Sequence, residues 1–144
     1  YALDIDRLNR WGMIADGILP KELSRYAIFG TRVVSPCDGE VKAAVDGLPD
    51  LIPPETDRKN SKGNHVLIRC PKLNVDVLLA HLQRGSLERR AGERVVRGQT
   101  LELVGNSGNT SRPHLHLQAS RDGEGIAMTF NGRFLARNAL VTVE

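Results

Sequence analysis

The chain has 144 residues, 40% of them apolar and 26% charged. That length buries about two-thirds of the unfolded surface around one core, and the composition excludes disorder and fibrous repeats. Twenty basic against seventeen acidic residues give a net charge of +3, without the clustering or aromatic interleaving of a nucleic-acid reader, so no nucleic-acid partner is expected. No run approaches 18 apolar residues, so no membrane-spanning segment is expected in this chain.

Fourteen Gly, seven Pro and many short Val/Leu runs predict a β-rich chain with many turns. Residues 1–6 read as a strand. Residues 7–30 are less regular, with Gly12, Gly17 and Pro20 as punctuation and a brief helical turn over Lys21 to Tyr26. Strand-like runs follow at Val33-Val34, Glu40 to Val45, His65 to Cys70 and Val75 to Leu82. Between the second and third of these, residues 46–63 carry three Pro, two Gly and eight charges or amides, the composition of a long exposed loop. Val95-Val96, Thr100 to Val104 and Leu115 to Ala119 continue the series, and Phe134 to Val143 ends it. Short strands separated by turn signals predict a mostly β fold, an antiparallel β-sandwich or barrel-like sheet with long loops and little helix. One domain over residues 1–144 is expected, with no internal repeat.

Four histidines stand at 65, 81, 114 and 116. A glycine-rich turn, Gly105-Asn106-Ser107-Gly108, leads into a strand where alternation puts His114, His116 and Gln118 on one face and Leu115, Leu117 and Ala119 on the other. Two residues along a strand is about 6.6 Å, so both imidazoles address one site, as a metal ligand beside an acid/base group or as two polar residues on an edge. His81 ends an apolar run that reads as a central strand, where a buried core histidine is the competing reading. His65 shares its face with Leu67 and Arg69 and reads as an exposed strand position. Asp4 and Asp6 share one strand face, so periodicity does not separate them as carboxylate ligands. Nucleophile-elbow, dinucleotide and phosphate-loop patterns are absent, as is an H-E-x-x-H helix.

Taken in order, Gly30 to Val41 (G-T-R-V-V-S-P-C-D-G-E-V), Gly63 to Ile68 (G-N-H-V-L-I), Ala80-His81-Leu82, Gly92 to Gln99 (G-E-R-V-V-R-G-Q), Gly105 to Gly108 and Pro113-His114-Leu115-His116 resemble the lysostaphin-type family of zinc metallopeptidases, the glycyl-glycine endopeptidases of the bacterial cell wall. The resemblance runs from Asp4 to about Gln118. It implies a zinc cofactor with Asp4 and His116 as metal ligands, and His81 and His114 as the catalytic histidines acting on water and the transition state. It also implies hydrolysis of peptide cross-links of peptidoglycan, with the peptidoglycan peptide as partner and a periplasmic or extracellular location, the chain being membrane-anchored or free. A member of the same fold that has lost ligands would instead bind the wall or activate another wall hydrolase. The family's first zinc ligand, a His just before the Asp, is not among these residues, and Tyr1 opens in mid-pattern without Met, so the expectation is an N-terminally incomplete domain. Many members carry Tyr where this chain has Leu79. A rival class, the lipoyl and biotinyl carrier domains, shares the Gly92 to Gln99 hairpin pattern but needs a Lys at a hairpin tip, and none of the five Lys offers one.

Cys37 and Cys70 are too few for a disulfide scaffold. If the strands flanking the 46–63 loop form one antiparallel hairpin with 44 opposite 63, then 37 falls opposite 70 on apolar faces. A disulfide is then expected if the protein is exported, and two buried thiols otherwise.

Overall fold

The computed structural model describes residues 1–130 and 132–142. The expected β architecture is present. Among the described residues the strands are β1 (Ala2–Ile5), β2 (Arg32–Val34), β3 (Gly39–Val45), β4 (Asn64–Cys70), β5 (Val75–Leu82), β6 (Arg94–Val95), β7 (Thr100–Leu103), β8 (Leu115–Arg121), β9 (Glu124–Ile126), β10 (Thr129–Phe130) and β11 (Arg133–Phe134). Helix is confined, among the described residues, to 3-10 turns at Leu23–Arg25 and Pro71–Leu73. Among the described residues no helix is long and apolar enough to cross a membrane.

A seven-stranded antiparallel sheet has the order β1-β8-β5-β4-β3-β6, with β9 on β8, and the ribbons β2–β7 and β10–β11 stand apart from it. Val41, Val66, Ile68, Val77, Leu79, Leu117 and Ala119 line one face of the sheet and join Val33, Leu101 and Val104 of the β2–β7 layer in a single buried cluster. The alternating burial of β4, in which every second residue is buried, follows from this one-sided packing. The opposite face, near the end where β1, β5 and β8 run side by side, carries His81, His114 and His116.

Three sequence expectations are corrected. Residues 135–142 form no strand, and Val143 lies outside the described residues; the apolar residues there, such as Leu140 at 84% exposure, have no sheet face to cover. Strand β9 and the β10–β11 ribbon went unpredicted because segments of two or three residues are too short for a periodic signal. The hairpin register also differs. Val45 pairs with His65, and an irregularity between Val41 and Ala43 then shifts the pairing to Glu40 with Arg69. Cys37 thus lies just outside β3, yet the chain returns it to Cys70 with a Cα–Cα distance of 5.9 Å, and the disulfide forms.

The 46–63 segment connects β3 and β4 as expected, but it is not merely a solvated loop. Pro53 is buried, and the Asp50 carboxylate accepts the backbone N–H groups of Arg84 at 3.0 Å and Asn106 at 2.7 Å. The segment is thereby pinned to the glycine-rich turn.

Candidate active site

The glycine-rich pieces singled out in the sequence pack against each other. Gly63 and Gly108 both have positive φ, and a Cβ on Gly63 would run into the Ser107 carbonyl, so only glycine permits this approach. Ser107 Oγ accepts the Asn64 N–H at 2.9 Å and donates to the Leu82 carbonyl at 2.7 Å. Asn64 Nδ2 donates to the carbonyls of Leu48 and Leu82. This largely buried network holds the turn that points the Ser107 carbonyl at His81.

His81 is aimed there by a local break in β5. Asn64 pairs with Leu82 and His65 with Ala80, so His81 is the extra residue of a bulge, with φ of 62°. Strict alternation would put its side chain on the core face with Val75, Val77 and Leu79. The bulge turns it to the other face, as bulges beside active sites do. Its amide donates to the Lys62 carbonyl at 3.1 Å and its carbonyl accepts from Gly105. His81 Nδ1 lies 2.9 Å from the Ser107 carbonyl. A carbonyl only accepts, so Nδ1 carries the proton and Nε2 is bare. Burial is the main cause that pushes this imidazole down to about 4, helped by the neighbouring His114 and His116, and against the opposing pull of the Ser107 hydrogen bond. His81 is therefore neutral at pH 7.

His114 and His116 enter from the start of β8. Backbone pairing sets Asp4 opposite His116 in β1–β8 and Ala80 opposite His116 in β5–β8. Asp4 Oδ1 stands 2.9 Å from His116 Nδ1 and 3.5 Å from His114 Nε2. His114 Nδ1 faces the Arg112 carbonyl at 2.8 Å and so carries a proton, which leaves Nε2 of this ring pointing at the cleft. The ring centroids of His81 and His114 are 4.8 Å apart, and those of His81 and His116 are 5.7 Å apart.

All four site residues expected from the sequence, Asp4, His81, His114 and His116, meet in one cleft of about 520 Å³. Asp6, which periodicity left equivalent to Asp4, is separated from it by its partner: its Oδ2 takes the Arg112 Nη2 at 2.6 Å. His65 stays outside, with Nδ1 on the Gly63 carbonyl at 2.7 Å. Leu79 is 3% exposed in the core, so it offers the cleft nothing. The sequence reading missed the opposite wall, formed by Thr56, Ser61 and Lys62 of the 46–63 segment and by Asn109 and Ser111. These are ordinary loop residues, and no spacing marks them.

The donor set suits a zinc ion. Ligand atoms on a tetrahedral zinc stand about 3.3 Å apart, a few tenths of an ångström beyond the Asp4–His116 separation of 2.9 Å. Ring nitrogens of His81, His114 and His116 all lie within 4.8 Å of one another. Carboxylate and imidazole are the usual zinc donors outside thiolate sites.

Comparison with known proteins agrees with this geometry. The model of peptidase family M23 matches residues 25–128. The peptidoglycan DD-endopeptidase ShyC of Vibrio cholerae is 35% identical over 89 residues, 62% of this chain and 19% of that protein. The DD-carboxypeptidase/endopeptidase Mpg of Neisseria meningitidis is 32% identical over 97 residues, 67% of this chain and 21% of that one. This chain thus spans about a fifth of the length of these curated relatives. A zinc-containing peptidase from Vibrio cholerae superposes with a TM-score of 0.54 at 24% identity, over 71% of this chain and 26% of that one. The catalytic domain of the prophage-encoded M23 protein EnpA from Enterococcus faecalis, in a mutant form, superposes with a TM-score of 0.52 at 18% identity, over 85% of this chain and 87% of that one. With the family model covering most of the strands that build the cleft, the chain belongs to peptidase family M23.

Proposed function

We propose that this domain is the zinc-dependent endopeptidase unit of a protein that cleaves peptide cross-links of bacterial peptidoglycan. The observation that carries the reading is the convergence of the imidazole Nε2 atoms of His81 and His114 beside the Asp4–His116 pair in one cleft. Asp4 and His116 would hold the zinc. When bound, zinc polarises the scissile carbonyl and lowers the pKa of water toward about 7.

The chain's own residues handle the protons. With Nδ1–H donated to backbone carbonyls, His81 and His114 are each set to receive a proton at Nε2. One takes it from the attacking water and returns it to the leaving amine nitrogen. The imidazolium formed on the way stabilises the negative charge that develops on the carbonyl oxygen. The Ser107 and Arg112 carbonyls keep both rings oriented throughout. Peptidoglycan as substrate is supported by the names of the relatives ShyC and Mpg. The Cys37–Cys70 disulfide supports action in an oxidising compartment, the periplasm or the cell exterior.

The test is hydrolysis of purified cross-linked wall peptide by the full-length protein loaded with zinc. Cleavage that chelation abolishes and zinc restores is the expected result. Zinc bound at about one per chain without hydrolysis of any wall peptide would instead make the domain a wall-binding or activating member of the family.

A further inference from the structure

The side chains of Asp6 and Arg112 have no part in the chemistry described above, yet they form an ion pair at 2.6 Å across 106 residues of sequence. Their side chains are only 25% and 34% exposed. Asp6 sits one residue beyond the end of β1, and Arg112 lies in the irregular segment that leads into β8. That segment makes a closed hydrogen-bonded turn. The Arg112 carbonyl accepts the Thr110 hydroxyl at 2.6 Å and the His114 Nδ1–H at 2.8 Å. Thr110 Oγ1 is in turn 3.3 Å from the Arg112 amide and 3.1 Å from His114 Nδ1. No strand pairing holds residues 110–113. The Asp6 carboxylate ties the segment's one cationic side chain to the end of β1.

We infer that Asp6 and Arg112 are positioning residues for His114: their ion pair fixes the Arg112 peptide so that its carbonyl holds Nδ1–H and aims Nε2 at the cleft. The inference rests on the peptidase reading for its consequence in turnover, though not for its consequence in the ring. A half-buried ion pair of this geometry is charge-assisted and directional, so it resists rotation of the segment better than an exposed pair would. When the tether is cut, the Arg112 carbonyl is free to swing away. His114 Nδ1 then keeps only the weaker hydroxyl acceptor of Thr110 at 3.1 Å, and the Nε2–H tautomer, which cannot take a proton from water, gains population. Asp6 lies on the same strand face as Asp4, and this pairing gives it work other than metal ligation.

The experiment compares zinc-loaded full-length protein with its Asp6→Asn, Asp6→Glu, Arg112→Met and Arg112→Lys variants. Three quantities are read: zinc stoichiometry, kcat and KM on cross-linked wall peptide, and the imidazole ¹⁵N shifts of His114 by long-range ¹H–¹⁵N spectroscopy. Wild type should show a single Nδ1–H tautomer at His114. Asp6→Asn and Arg112→Met should show a mixture, with kcat down about 10-fold to 100-fold, the scale of a displaced catalytic group. KM and zinc content should be unchanged, and the charge-preserving Asp6→Glu and Arg112→Lys should recover part of both signals. Unchanged His114 shifts in Asp6→Asn, or loss of zinc from it, would overturn the inference. The spectrum requires no turnover, so an inert wild type would count against the peptidase reading while the tautomer still decides the role of the ion pair. If Arg112→Met does not fold, the near-isosteric Asp6→Asn carries the test alone.

Discussion

At the residue scale, the four groups of the cleft divide by what their removal takes away. Replacing Asp4 or His116 with Ala should abolish zinc binding, and activity with it. Replacing His81 or His114 with Ala should leave zinc and folding nearly unchanged while lowering turnover about 10²–10⁴-fold, the usual contribution of one positioned acid/base group. Zinc analysis alongside wall-peptide hydrolysis separates the two classes, and a His81→Ala variant with full activity would remove that residue from the mechanism. Glu102 is a residue outside the cleft with its own signature. It is fully buried, and neither carboxylate oxygen has a hydrogen-bond partner among the described residues. Burial, with a smaller contribution from the Asp46 charge, pushes its carboxyl up to about 8 from an ordinary 4.5. The folded state therefore holds this proton more tightly than the unfolded chain. The stability it confers is complete below about pH 4.5 and is lost as pH rises to about 8. Glu102→Gln should accordingly be more stable than wild type at pH 8, by on the order of 3 kcal/mol, with the difference vanishing near pH 4.5. Denaturant melts at the two pH values check both the sign and the window.

At the element scale, regular alternation explains why His114 and His116 were visible as a pair, since β8 is an unbroken strand from Leu115. It also explains why His81 read as a core residue. The bulge that turns it depends on how β4 and β5 register against each other, and no residue of β5 announces it. The Cys37–Cys70 bridge shows the same split. The hairpin brought the two cysteines together while leaving a disulfide and two buried thiols both open, and the observed register, Val45 with His65, with its irregularity between Val41 and Ala43, has no signal in the sequence of either strand. The bridge closes a loop with a sequence separation of 33 at the end of β4 away from the cleft. In the chain-entropy model such a loop contributes about 4 kcal/mol. Reduction, or a Cys37→Ala/Cys70→Ala double variant, should lower Tm by about 10 °C at this chain size. Zinc content and kcat at 25 °C should be unaltered, and a large fall in kcat at a temperature where the reduced protein is still folded would show that the bridge reaches the site. Asp50→Ala, by contrast, should raise KM, because it frees the wall that carries Thr56, Ser61 and Lys62. It also leaves the buried Asn106 amide without its acceptor, at a cost of about 1–3 kcal/mol. Denaturant melts and steady-state kinetics on that variant measure both effects.

At the scale of the whole molecule, the sheet places its two faces in separate service. One is closed by the β2–β7 layer into the core, and the other is left open for the cleft. Asp4 comes from the first strand and His116 from the eighth, so zinc would cross-link segments 112 residues apart. Anything that binds only the folded state adds to stability by mass action, about 2.7 kcal/mol at a free concentration one hundred times Kd. Removing zinc from the full-length protein with a chelator should therefore lower Tm by several degrees. Asp4→Ala should melt at one temperature with or without chelator. Equal melting of wild type in both conditions would mean that the ion is not held across β1 and β8.

The sequence by itself determined the fold class and most strand positions, and its ordered short motifs carried the family resemblance that put Asp4, His81, His114 and His116 forward as a set, because strand periodicity and short motifs are local properties of a chain. Tertiary structure decided which acid faces the histidines, which face His81 takes, which ring nitrogen each imidazole turns to the cleft, and what forms the far wall. Each of these depends on a partner distant in sequence: Arg112 for Asp6, the bulge against β4 and the Ser107 carbonyl for His81, and the Asp50 anchor for the 46–63 segment. Period two places a side chain above or below a sheet, but only the packing of one strand on another sets its aim.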